Sequence, residues 1–173
     1  VLLRPLRRFR AACELELQGR YDEALKLLET ISPTSKSIVT VPKPLYHLRR
    51  SLIYTHAERF SNAAHELAQA QSCGLNALEY YVGRSELFRY RKEFEAAQGE
   101  LQMAEYVVGN NPVLCLEEAL LCMEQRDMRG ARKALDRVLA LPCTAHPNGE
   151  STYALGRAYL EATRLWTGEA EEG

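Results

Sequence analysis

The chain has 173 residues and a mass of 19.6 kDa, with 22 Lys or Arg against 23 Asp or Glu and a net charge of −1. That balance gives no general pull toward nucleic acid or an acidic membrane. An apolar share of 46% excludes disorder as the main state, and apolar runs of only a few residues exclude a bilayer-spanning helix.

Residues 1–13, VLLRPLRRFRAAC, carry four Arg and no acid. They read as a basic first helix, with the tail of an organelle presequence as the other reading. A polar break, QGRYDE, separates them from a second helix in which Asp22 is the expected N-cap. Residues 32–44, SPTSKSIVTVPKP, hold three Pro and five Ser or Thr and read as a loop. A tolerated insertion is the plain reading of that loop; a contact surface or a modification site at Ser32-Pro33 is the functional one.

Beyond the loop the chain repeats itself every 34 residues. The step links Ser51, Ser85 and Ala119, and likewise Tyr54, Phe88 and Cys122. It links Ala63, Ala97 and Ala131, then Leu67, Leu101 and Leu135, then Ala70, Ala104 and Val138. The first copy joins the series with a step of 39, from Ala24 to Ala63, and a fifth, partial copy begins near Ser151. Each copy carries two stretches with helical apolar spacing around a short polar break: QGRYDE, AERFSN, RKEFEA, QRDMRG. Ser61 and Asp127 are further N-cap expectations, and Asn111-Pro112 opens a helix with proline at its tolerated first position. The only β-branched run, Ile38–Val41, is too short to build a sheet.

The expected fold is therefore all-α. Antiparallel helical hairpins are placed at about 5–33, 44–75, 78–110 and 112–142, with a partial or capping unit at 149–173, in one array. Alanine in the first turn of each second helix lets it approach its partner, and the leucine four residues later fills the seam. A lone hairpin cannot bury both faces, so the copies must stack.

These features resemble the tetratricopeptide repeat family over roughly residues 5–165. Leu155-Gly156-Arg157-Ala158-Tyr159 matches its first-helix motif; Ala24, Ala63, Ala97 and Ala131 match its second-helix alanine. Pro33, Pro112 and Pro142 stand at unit ends. Leu28, Leu67, Leu101 and Leu135 replace the usual aromatic, and Arg50, Arg84 and Glu118 replace the usual leucine. The resemblance implies a right-handed α-solenoid superhelix with a concave face lined by the first helices.

That face would carry Phe9, Leu45, Leu48, Leu52, Val82, Leu116, Leu120, Met123 and Tyr153, with Arg89 and Tyr90 at the rim and Arg49, Glu86, Glu117 and Arg157 around it. The expected function is a non-catalytic protein–protein interaction scaffold that takes an apolar helix or peptide in this groove. The alternatives are a self-associating module, a homo-oligomer whose groove is filled by another copy, and a regulatory or carrier array of a larger enzyme. The inner positions that grip acidic chaperone tails in some members fall on Phe9, Cys13, Arg49, Glu79 and Gly83, or one unit on at Leu48, Leu52, Gly83, Val113 and Glu117, and neither set could clamp a carboxylate.

The remaining chemistry is sparse. Arg49, Arg50, Arg84, Arg89, Arg91 and Lys92 interleave with tyrosines but also with Glu79, Glu86, Glu93 and Glu95, which reads as a mixed-charge face, so no nucleic acid partner is expected. His47, His56, His65 and His146 show no metal spacing, and no phosphate loop or nucleophile motif is present, so no cofactor, metal or catalytic residue is expected. Five cysteines, 13, 73, 115, 122 and 143, lack disulfide-framework or zinc spacing and suggest a reducing compartment such as the cytoplasm, an organelle being the alternative. Cys115 and Cys122 read as buried and inert, whereas Cys13 could line the groove as a reactive thiol.

Overall fold

Besides one at Gly74, where φ is 91°, four turns of one geometry punctuate the described residues, one within each of the first four copies. At each, a residue with positive φ follows a helix: Gly19 at 75°, Glu58 at 58°, Lys92 at 64° and Arg126 at 61°. Its N–H bonds back to the carbonyl of Glu16, Thr55, Arg89 or Met123, and the next N–H reaches Leu15, Tyr54, Phe88 or Cys122, all at 2.8–3.0 Å. This is the paired closure of a Schellman helix end. The turns recur at the sequence steps of 39, 34 and 34, so the repeat is present in the backbone as well as in the side chains.

The computed structural model describes residues 4–33 and 41–140, and these contain eight helices and no extended strand. They are α1 (Arg4–Leu17), α2 (Tyr21–Glu29), α3 (Lys43–His56), α4 (Phe60–Ser72), α5 (Ala77–Tyr90), α6 (Phe94–Val108), α7 (Pro112–Glu124) and α8 (Met128–Ala140). Two helices fall in each of the first four copies, and α3 begins at Lys43, inside the segment 32–44 expected to be loop. The fifth copy, with Leu155–Tyr159, lies outside the described residues, as do 34–40 of the loop and Cys143. The chain divides into two compact units, and the boundary falls between Glu93 and Phe94, inside the third copy.

In the first unit α1 packs on α2 and α3 on α4, while α5 lies against both α3 and α4. Ala12, Ala24, Leu25, Leu28, Ile31, Val41, Tyr46 and Ile53 form one core, with Phe9, Leu15, Tyr21, Leu27 and Tyr54 packed on it. Ile31, just after α2, and Val41, just before α3, both belong to this core. A second cluster joins Leu67, Ala70 and Leu75 to Leu48 and Tyr80. Gly83 permits this approach, because a Cβ there would lie 3.1 Å from a Leu67 methyl and 3.4 Å from one of Leu48. Ser51 Oγ donates to the Ala63 carbonyl at 2.8 Å and ties α3 to the first turn of α4.

In the second unit α7 packs between α6 and α8. Cys115, Leu116, Ala119, Ala134, Leu135 and Val138 make its core. Arg137 on α8 reaches Glu118 on α7 at 2.7 Å and Glu105 on α6 at 3.1 Å, tying the three helices. Across both units Ala24, Ala63, Ala97 and Ala131 are each 0% exposed, and the leucine four residues after each is buried. The close-packing role assigned to these columns is the one they have.

Two capping expectations are corrected. Helix α2 begins at Tyr21 behind Arg20, and α4 at Phe60 behind Arg59, neither with a side-chain cap bond; Asp22 and Ser61 sit inside the first turn. The turn is so short that the residue after the positive-φ position also starts the next helix. In the repeat register that position is Arg20, Arg59, Glu93 and Asp127, and Asp127 does cap, accepting from the Gly130 N–H at 2.9 Å. A Cβ at Gly130 would strike that carboxylate. Asn111 caps α7 from before Pro112, as expected, and Asn76 caps α5 by accepting from the Glu79 N–H at 2.9 Å.

The three non-glycine turn residues carry a cost. An L-residue in this region is disfavoured by about 1–2 kcal/mol, partly offset by the entropy a glycine loses on folding. Glu58→Gly and Arg126→Gly are each expected to raise stability by about 0.5–1 kcal/mol in urea unfolding. A loss of stability would show that the positive φ is not held in solution.

Candidate functional site

The first helices of the first unit present a cluster of charged side chains around His56. Glu16 on α1 is buried, with one carboxylate oxygen 2.9 Å from Arg49 on α3 and the other 3.0 Å from His56 Nδ1. On the opposite side of the ring, His56 Nε2 lies 2.9 Å from Glu86 on α5. Arg89, also on α5, lies 3.7 Å from the same Glu86 oxygen and stacks over Tyr90, 5.1 Å from its centroid. The rings of Tyr21 and Tyr90 flank His56 at 6.3 and 5.0 Å. Burial alone would lower the histidine pKa, but the Glu16 and Glu86 carboxylates outweigh it and raise it from 6.5 to about 9.

A second cluster lies on the α3/α4 hairpin. Glu66 accepts from Arg50 at 2.8 Å and lies 2.7 Å from His47 Nδ1. Arg50 also stacks between Tyr46 and Tyr54, 5.7 Å from each centroid. One repeat on, Arg84 lies over Tyr80 and Phe88 at the same distance. Arg50, Arg84 and Arg89 are thus each stacked on a tyrosine of their own helix. Among the described residues no group of three or more His, Cys, Asp or Glu is placed to hold a metal ion, and no helix is long and apolar enough to cross a membrane.

The groove residues divide into those spent on packing and those with accessible surface. Leu116 is a correction: it is 2% exposed and belongs to the α7/α8 core. Helix α7 is apolar nearly all round because it is covered on two flanks, by α6 and α8. Arg89 is a second correction, buried against Glu86 and Tyr90 and not at a rim. Phe9 packs on the first core and Leu48 on the Leu67 cluster. Leu45 is exposed, and Leu52, Val82, Tyr90, Leu120 and Met123 are half-buried. Glu117 is buried, and Arg49 is half-buried against Glu16. Tyr153 and Arg157 lie outside the described residues.

Burial chiefly raises the Cys13 thiol pKa, with the Arg49 charge opposing it, which removes the case for a reactive thiol there. Cys115 is buried and its thiol is likewise raised, first by desolvation. An apolar stripe on α6 was not anticipated: Met103, Tyr106 and Val107 are 48%, 87% and 50% exposed. Their i, i+3, i+4 spacing is visible in the sequence, but it is the same spacing that marks a buried face.

No protein-family model, curated protein or solved structure matches this chain.

Proposed function

We propose that the chain is a tetratricopeptide-like α-solenoid that acts as a non-catalytic scaffold for another protein, holding an apolar helix or peptide against its first helices. The observation that carries this reading is a division of labour within the repeat. Alanine and leucine columns fill the hairpin seams, while Leu45, Leu52, Val82, Leu120 and Met123 keep open surface on first helices. Apolar side chains with accessible surface on helices suit an amphipathic partner, and methionine adapts to varied ones. Four unpaired cysteines among the described residues fit work in a reducing compartment such as the cytoplasm.

Self-association is the second reading, and the exposed stripe of Met103, Tyr106 and Val107 on α6 favours it. Light scattering over a wide concentration range separates the two. The scaffold reading expects a 19.6 kDa monomer throughout. It also expects affinity capture by the wild type of a protein that Leu120→Glu does not retain, with the helical signal of the variant unchanged. A dimer lost in Leu120→Glu or Tyr106→Glu would replace the scaffold reading with self-association.

A further inference from the structure

We propose that His56 is a proton-dependent clasp: protonated, it bridges Glu16 of the first repeat to Glu86 of the third, and on losing its proton it loosens the hold on α1. The geometry carries the inference. Nε2 is hydrogen-bonded to Glu86 at 2.9 Å, and Nδ1 lies at ion-pair distance from Glu16, 3.0 Å from an oxygen that has no hydrogen-bond partner. A neutral imidazole has one N–H and no charge, so one of those carboxylates would then face a lone pair, whereas an imidazolium donates to Glu86 and pairs its charge with Glu16 as well. The side chains of Glu16 and Glu86 are only 4% and 14% exposed, so water does little to relieve the mismatch.

Every element packed around the ring contributes a charged or titratable group. Glu16 comes from α1, Tyr21 from α2, Arg49 from α3, and Glu86, Arg89 and Tyr90 from α5. Arg49 keeps Glu16 tied to α3 in either state, so deprotonation removes the longer link, from α1 through His56 to α5, and leaves the hydrophobic core in place. The folded-state pKa is raised above 6.5, so the clasp is complete below that pH and is lost as pH rises through about 9.

The test is a titration of the full chain by NMR, following the His56 ring protons and the Tyr21 and Tyr90 rings that flank it. A common midpoint near pH 9 is expected. Glu86→Gln should lower it by about one unit or more, since one of the two carboxylates is removed. Pulse-labelled amide exchange, corrected for its intrinsic pH dependence, should rise in α1 across the same range and not in α7 or α8. His56→Gln should abolish that step; should this variant fail to fold, the wild-type titration still decides. A His56 midpoint near 6.5 would overturn the bridge, and a midpoint near 9 without faster exchange in α1 would overturn the clasp.

Discussion

Leu28→Ala is expected to destabilise the first unit by about 2–5 kcal/mol, the range for removing a large aliphatic side chain from a core that relaxes only in part. Leu28 is 0% exposed and lies in the cluster formed by Ala12, Ala24, Ile31, Val41, Tyr46 and Ile53. Those neighbours come from α1, α2, α3 and both flanks of the loop, so the void would open where the first hairpin meets the second. Ala12 and Ala24 are too small to fill it. Leu45→Ala is the internal comparison: the side chain is exposed, and a change within about 0.5 kcal/mol is expected. Urea unfolding of both variants checks the contrast. A loss below about 1 kcal/mol at Leu28 would mean that the first hairpin does not pack as described.

Glu16→Ala is expected to cost about 3–5 kcal/mol at neutral pH, because it strips a buried carboxylate from two cations and leaves them facing each other. Arg49 and His56 are the cations, at 2.9 and 3.0 Å. Part of the cost is pH-dependent, with a sign set by the histidine. A raised folded-state pKa of about 9 against 6.5 stabilises the fold fully below pH 6.5, and that contribution disappears as pH climbs through 9. At 1.36 kcal/mol per unit, the histidine supplies up to about 3 kcal/mol, less after screening, since its side chain is 21% exposed. The deficit of Glu16→Ala should therefore shrink between pH 7 and pH 10. Unfolding free energies of wild type and variant at both pH values measure the difference, and a constant deficit would remove His56 from the account.

The two variants probe layers of the molecule that differed in how legible they were. Ala24, Leu28 and their counterparts could be read from the sequence because burial recurs with the repeat and with the helical period together. Each column is sampled four times, and a small residue at one fixed place in four copies marks a close approach of helices. The caps were misread at Asp22 and Ser61 because residue type was weighed one copy at a time. Reading down the register from Asp127 leads to Arg59 and Arg20, where the structure puts the helix starts.

The ion cluster could not be read this way. Glu16, Arg49, His56 and Glu86 sit on three helices, with 33 residues between Glu16 and Arg49 and 30 between His56 and Glu86. From the sequence, Arg49 and Glu86 are expected around a groove and His56 is a histidine without metal spacing, with no pairing among them. Opposite charges on first helices of successive copies become partners only once those helices are laid side by side. Leu116 and Leu120 show the same limit on α7, where all residues but Glu117, Glu118 and Glu124 are apolar. Periodicity could not say which leucine faced α8, and packing assigned Leu116 to the core and left Leu120 half-open.

The helix–turn–helix pattern recurs four times within residues 4–33 and 41–140. Backbone NMR of the uniformly labelled chain tests it most directly, through secondary chemical shifts and the three-bond HN–Hα couplings that report φ. The account predicts helical shifts over the eight segments and positive φ at Gly19, Glu58, Lys92 and Arg126, with no other non-glycine residue of positive φ among residues 4–33 and 41–140. Uninterrupted helix through Glu58, Lys92 or Arg126 would contradict it.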